Sequence, residues 1–100
     1  MKVIAMVFKV TKVIDGDTFE ASPNWQWNDK TGSVLRANGY NTPEEGKQGY
    51  QDSKDKLSDL ILNKEVELVK AIKITYGRLL CDVKYNGKNL ADYFPEYQQS

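Results

Sequence analysis

The sequence predicts a small domain of the α+β class that is mainly β: a five-stranded barrel of the OB type with one main helix and a short C-terminal helix. Three observations predict this fold. The chain has 100 residues, of which 40% are apolar and 11% aromatic, and this composition suits one folded domain. Short segments with β-branched or alternating apolar residues outnumber the one segment with a helical period. Their order, with three strands before the helix and two after it, is typical of such a barrel.

The first part of the chain predicts a hairpin followed by a third strand. Residues 3–14 are rich in β-branched types and form the first predicted strand. Asp-Gly at positions 15 and 16 is a strong hairpin signal, and residues 18–21 alternate as the returning strand. Residues 23–32 carry turn formers and two tryptophans, which indicates a protruding loop or a hairpin tip. Residues 33–37 are the third predicted strand.

The second part predicts the helix and the remaining strands. Glycines and a proline interrupt residues 38–49, which indicates a loop. From residue 50 apolar residues recur at steps of three and four, so we expect an amphipathic helix that ends near residue 63. The other predicted elements are a fourth strand over residues 65–71, a fifth over 79–85, and a short helix over 90–94 that Asn89 can cap. We expect residues 1–95 to form the domain and residues 96–100 to be a flexible tail.

Composition excludes several classes of function. The chain has no histidine, which excludes histidine-based catalysis and histidine-ligated zinc, and its single cysteine, Cys81, excludes an internal disulfide. Cys81 lies at an apolar position of the fifth predicted strand, so we expect it in the core. Fourteen basic residues balance fourteen acidic ones, and nucleic acid would therefore be bound at a local site rather than by a global field.

No segment has the roughly 20 apolar residues that a membrane-spanning helix requires, so we expect no association with a membrane. The apolar run at residues 3–8 is too short for a signal peptide. If the chain is complete, these features predict a cytoplasmic protein. Nothing in the pattern requires more than a monomer.

Three short motifs carry the candidate chemistry. Only two of the fourteen basic residues are arginines, Arg36 and Arg78, and arginine is the planar donor that suits phosphate. Residues 15–18 are Asp-Gly-Asp-Thr, and a turn accounts for the first two of these residues but not for Asp17. Residues 41–44 are Asn-Thr-Pro-Glu, which also suits a turn with an acidic residue before a helix. Taken singly, each motif is consistent with an ordinary turn or strand edge.

Taken in order, these motifs resemble the staphylococcal-nuclease-like (thermonuclease) family. The resemblance is carried by residues 14–18, by Arg36, by residues 41–44 and by Tyr-Gly-Arg-Leu at residues 76–79, and it extends over residues 9–94. It implies a nuclease on an OB barrel that hydrolyses phosphodiester bonds of DNA or RNA with one calcium ion. Single-stranded or unstructured nucleic acid is the expected substrate.

The resemblance also implies a role for each matching residue. Calcium prefers oxygen ligands, a carboxylate near water can act as a base, and guanidinium groups stabilise the charge that a phosphate gains. The implied metal ligands are Asp17, Asn41 and the backbone carbonyl of Thr42. The implied catalytic residues are Glu44, which would orient or deprotonate the attacking water, and Arg36 and Arg78, which would bind the phosphate.

The sequence departs from the family pattern at positions that bear on activity. Asn41 stands where the family has a second metal-binding aspartate, so we expect weaker calcium binding. Thr75 stands where the best-known members carry a lysine near the phosphate. The alternative interpretation is therefore a catalytically impaired module on the same barrel that binds nucleic acid or another partner.

Three aromatic residues are candidate contacts for nucleic acid: Tyr76, Trp25 and Trp27. Trp25 and Trp27 are two residues apart, so on a strand they share one face and form a platform on which bases could stack. In the other interpretation, which we favour, the two tryptophans cover one end of a thin barrel core, since tryptophan usually supplies buried area.

Overall fold

The strands of the computed structural model, which describes residues 6–98, close into a barrel. In chain order the elements are β1 (Met6–Asp15), β2 (Thr18–Trp27), β3 (Lys30–Ala37), α1 (Tyr50–Ile61), β4 (Glu65–Thr75), β5 (Arg78–Tyr85) and the two-residue β6 (Lys88–Asn89), followed by 3₁₀ helices at Leu90–Tyr93 and Pro95–Tyr97. The pairs β1–β2, β2–β3, β1–β4 and β4–β5 are antiparallel, and a parallel pairing of β3 with β5 closes the ring. The predicted α+β class with an OB-like barrel is confirmed.

The barrel interior is filled by apolar residues that alternate along the strands. On β5, Leu79, Cys81 and Val83 are buried, whereas the residues between them are half-buried on the outer face. Phe19 and Leu35 lie opposite each other on β2 and β3 and are fully buried. Cys81 is a core residue, as predicted, and burial raises the pKa of its thiol to about 12.

Helix α1 packs one face against the barrel. Its buried residues are Ser53, Leu57 and Ile61, which recur at four-residue steps. The helix ends slightly before the predicted residue 63, and Asn63 has a φ of 65°, outside the helical region. A Cβ atom at Gly16 would lie 2.7 Å from Ser53 Oγ, so the turn after β1 approaches the helix this closely only with glycine. Within residues 6–98, no helix is both long and apolar enough to cross a membrane.

The β2–β3 hairpin is longer than the predicted strands. Strand β2 continues to Trp27 and β3 begins at Lys30. The turn between them is Asn28-Asp29, with φ values of 52° and 64°, as the mirror-image turns of tight hairpins require. Of the two predicted alternatives for residues 23–32, a hairpin tip is therefore the one observed.

The segment after β5 forms two 3₁₀ helices. Leu90–Tyr93 takes the place of the helix predicted over residues 90–94, and Asn89 makes no side-chain cap hydrogen bond there. Leu90 and Phe94 are buried, so this segment contributes to the core.

The residues predicted as a tail lie against the domain as far as the structure describes them. The ring of Tyr97 lies 6.2 Å from that of Phe94, and the Tyr97 side chain packs on the core. Tyr97 therefore covers apolar surface of the domain, and the flexibility of residues 96–100 stays a prediction. Residues 99 and 100 of that tail lie outside the described residues, as do residues 1–5, which include the predicted start of the first strand.

Candidate functional site

Four residues with predicted metal or phosphate roles come together at one place. Asp17 is the second residue of the β1–β2 turn, which is Gly16-Asp17 rather than the predicted Asp15-Gly16, and it is 5% exposed. Its carboxylate accepts hydrogen bonds from Arg36 Nη2 at 3.2 Å, from the Thr42 N–H at 3.2 Å and from Thr18 Oγ1 at 3.0 Å. The same Arg36 nitrogen donates to Asn41 Oδ1. We call Asp17, Arg36, Asn41 and Thr42 the Asp17 cluster. The Arg36 guanidinium joins the Asp17 carboxylate to the amide oxygen of Asn41.

A buried tyrosine fixes the loop that carries Asn41 and Thr42. The hydroxyl of Tyr40 donates to the carbonyl oxygen of Gly16 at 2.9 Å, and its ring stacks on Phe94 with the centroids 4.6 Å apart. Tyr40 thereby holds the loop against the β1–β2 turn. Sequence reasoning missed this residue, although an aromatic residue just before a candidate motif was a usable signal.

Asp15 is a second carboxylate beside the cluster. Its Oδ1 accepts the backbone N–H of Asp17 at 3.1 Å. Partial burial and the neighbouring Asp17 carboxylate raise the pKa of Asp15. In the sequence, the hairpin turn is sufficient reason for an aspartate at position 15. The interaction of its carboxylate with Asp17 is seen only in the structure.

The two arginines line one pocket on the outer face of the barrel. Arg36 on β3 lies opposite Leu80 on β5, and Arg78 lies one alternation earlier on β5, so their side chains share a sheet face. Arg78 Nε also donates to the Thr75 carbonyl oxygen at 3.4 Å. The pocket has a volume of about 170 Å³ and is lined by Arg36, Lys73, Thr75, Arg78 and Leu80. We call it the arginine pocket.

Arg36 belongs to both the Asp17 cluster and the arginine pocket. Its side chain is 30% exposed, and its Nε is buried without a hydrogen-bond partner among the described residues. A buried donor without a partner is costly, whereas the exposed part of the same side chain lines the adjoining pocket. Arg36 thus connects a site rich in oxygen donors to a site rich in cations.

Glu44 is a predicted catalytic residue that belongs neither to the Asp17 cluster nor to the arginine pocket. It is exposed on the loop, two residues after Thr42. Within residues 6–98 its carboxylate makes no hydrogen bond or ion pair; only its backbone oxygen is engaged, by the Lys47 N–H at 2.9 Å. Glu44 therefore lies close to the cluster in the chain, with a carboxylate open to water.

Tyr76 occupies the tip of the β4–β5 hairpin. It is 92% exposed, and Arg78 Cζ lies 5.9 Å from the centre of its ring. Its φ of 54° is unusual for a bulky residue, since the left-handed region favours glycine and asparagine. An exposed aromatic side chain beside an arginine is suited to stacking on an unpaired base.

The two tryptophans do not form the shared stacking platform considered above. Trp25 is 2% exposed, lies opposite Gly32, and donates through Nε1 to the Val34 carbonyl oxygen at 2.9 Å. The core interpretation is confirmed for Trp25, because its ring is buried and its Nε1–H already has a hydrogen-bond partner. Trp27 is half-buried near the hairpin tip, and its surroundings share no lining residue with the arginine pocket.

The Asp17 cluster offers the kind of ligands that calcium prefers, which are oxygen atoms. Besides the Asp17 carboxylate and the Asn41 amide oxygen it contains Thr42, whose buried Oγ1 has no hydrogen-bond partner among the described residues. These donors fit calcium in kind, but they fit a weak site. The Arg36 guanidinium already lies between two of them, and within residues 6–98 no three acidic, histidine or cysteine side chains form a metal-binding group.

No protein-family model and no curated protein matches the chain. The function proposed below is therefore inferred from the sequence motifs and the site geometry.

Proposed function

We propose that this domain binds single-stranded DNA or RNA through its phosphates and hydrolyses their phosphodiester bonds with a weakly bound calcium ion. The observation that carries the proposal is the position of Arg36. Its guanidinium joins the oxygen donors Asp17 and Asn41, and the same side chain lines the pocket that contains Arg78. Metal-assisted hydrolysis of a phosphodiester uses such an arrangement, in which a cation site and phosphate-binding donors are adjacent.

The two arginines are the phosphate-binding groups in this proposal. Arg36 and Arg78 offer planar donors to phosphate oxygens, and both side chains line the same pocket. Because both residues are held by the barrel strands, their charges are already in place when the phosphate gains negative charge in the transition state.

Asp17, Asn41 and Thr42 would hold the calcium ion. When bound, calcium supplies positive charge to the phosphate and orders the attacking water. Glu44 would take the proton of that water, since it is an exposed carboxylate two residues after Thr42 in a chain without histidine.

A second candidate function is binding of single-stranded nucleic acid without hydrolysis. The observation that favours it is the hydrogen bonding of Arg36 to both Asp17 and Asn41, because this internal cation competes with calcium. In that case the arginine pocket and Tyr76 would still bind phosphates and bases.

Digestion of labelled single-stranded DNA tests the proposal. We expect cleavage in calcium, none with excess chelator, and a rate about 100-fold lower for Arg78→Gln, because that variant lacks one transition-state donor. Lys70→Gln is the matched control, since Lys70 is an exposed residue on the same outer face of β4 and β5 as Arg78 but does not line the arginine pocket. Binding in chelator with no cleavage under any condition would instead establish the second function.

The substitution Asn41→Asp tests the metal ligands directly. A second carboxylate should raise calcium affinity about tenfold, because affinity for calcium depends on the number of charged ligands. Isothermal titration calorimetry with calcium alone measures this, and Asn24→Asp, which adds the same charge at an exposed position of β2, should leave it unchanged. Equal affinities for wild type and Asn41→Asp would contradict the assignment.

A further inference from the structure

We propose that Lys73 is a third phosphate-binding residue of the arginine pocket and contacts the phosphate next to the one bound by the arginines. This inference rests on the proposed function, since it requires that the pocket binds a nucleic-acid strand. Neither the motifs nor the resemblance assigns Lys73 a role.

A β-bulge on β4 places Lys73 on the face that carries the pocket. Ala71 pairs with Cys81 of β5, but the register shifts after it, so that Lys73 rather than Ile72 pairs with Leu80. Ile72 is thus an extra residue of β4 that has no partner on β5. After this bulge the alternation is reversed, so Lys73 faces outward instead of inward. Without it, Ile72 would lie opposite Leu80 and Lys73 would point toward the core.

Strand pairing then aligns Lys73 with Arg36. Leu80 pairs with Arg36 on one side and with Lys73 on the other, so the three side chains form one row on the outer face. Arg78 and Thr75 form the next row, and all five residues line the same cavity of about 170 Å³. Three positive side chains therefore surround one small pocket.

The charge of Lys73 is available to a ligand. Lys73 is exposed, and within residues 6–98 it makes no ion pair. Arg36 is paired with Asp17, but within residues 6–98 Arg78 makes no ion pair either, and an anionic strand relieves the repulsion between the like charges of Lys73 and Arg78. Lysine, a mobile point charge on a long side chain, suits a second phosphate along a flexible strand better than a fixed bidentate contact does.

Binding of a fluorescein-labelled octathymidylate, measured by anisotropy in chelator so that the strand stays intact, tests the role. For a single strand each phosphate contact contributes about 0.7 to the slope of log affinity against log salt. We expect Lys73→Gln to lower that slope by about 0.7 and to weaken binding about fivefold near 0.1 M salt. Lys73→Arg should restore both values.

Lys70→Gln is the matched control, because Lys70 lies on the same face of β4, is exposed, and pairs with Asp82 rather than with the pocket. If Lys73→Gln behaves like Lys70→Gln while Arg78→Gln loses binding, Lys73 makes no phosphate contact and the proposed function stands without it. If the wild-type protein does not bind the strand at all, in chelator or in calcium, the proposed function fails and Lys73 fails with it.

Discussion

The β2–β3 and β4–β5 hairpins each carry an aromatic residue that the sequence marks as a candidate for base stacking, yet the two residues have opposite environments. Trp25 is 2% exposed, whereas Tyr76 is 92% exposed. Trp25 lies on β2 over Gly32, where it extends the core, while Tyr76 lies in the turn itself, beyond the last inward-facing position of its hairpin. Whether an aromatic residue stabilises the fold or is free to bind is decided by its distance from the barrel interior.

The turns of these two hairpins also differ in the kind of residue that they hold in the left-handed backbone region. The β2–β3 turn places Asn28 and Asp29 in the left-handed region, which short polar side chains tolerate. The β4–β5 turn places Tyr76 there, with a φ of 54°, ahead of Gly77. A strained position that keeps a bulky exposed side chain is typical of functional sites. The buried Trp25 stabilises the first hairpin, whereas in the proposed function the exposed Tyr76 makes the second hairpin a contact for nucleic acid.

The largest expected effect is on the stability of the domain, and it comes from the buried tryptophan of the first hairpin. Trp25→Ala should lower the free energy of unfolding by about 3–5 kcal/mol, because it removes a buried ring and leaves a cavity. Urea denaturation measures this. Trp27→Ala, at a half-buried position two residues later, should cost less. Equal losses of unfolding free energy in the two variants would contradict the assignment of Trp25, rather than Trp27, to the core.

The next effect concerns binding by the second hairpin. Tyr76→Ala should weaken binding of single-stranded oligothymidylate about fivefold or more, as expected when one base loses its aromatic partner. Its free energy of unfolding should change by less than about 0.5 kcal/mol, since the side chain is exposed. Trp27→Ala should leave the affinity unchanged. A loss of affinity in the tryptophan variant alone would reverse the assignment of the two hairpins.

The smallest effect compares the two turns. Tyr76→Gly should raise the free energy of unfolding by up to about 1 kcal/mol, because glycine adopts a positive φ without steric cost. Asp29→Gly should gain less, since aspartate already tolerates that conformation. Thermal denaturation of both variants measures the difference. No gain in Tyr76→Gly would mean that the tyrosine is not strained in this turn.

Much of the fold could be predicted because its signals are local. Alternating apolar residues located the five main strands, and the helical period located α1 from its first residue. Strand ends were predicted less well, as with β4, which continues to Thr75 instead of ending at residue 71. Its extension depends on pairing with β5, and pairing between strands leaves no clear local signal.

The candidate site was predicted in part. The motifs contained Asp17, Arg36, Asn41 and Thr42, which the structure brings together, and both arginines, which share a pocket. The sequence signals Tyr40 only as an aromatic residue just before residues 41–44, because its hydrogen bond to Gly16 joins two distant parts of the chain.

The sequence by itself determined the order of the strands and helix, the buried position of Cys81 and the residue types available for phosphate and calcium. These follow from the alternation of side chains along each strand and from the chemistry of single residues. The tertiary structure alone decided that the antiparallel β2–β3 pairing brings Arg36 beside Asp17 and that the parallel β3–β5 pairing brings Arg36 to the pocket lined by Arg78. It also decided that a bulge turns Lys73 toward that pocket. These contacts join distant parts of the chain, and only barrel closure and strand register bring such parts together.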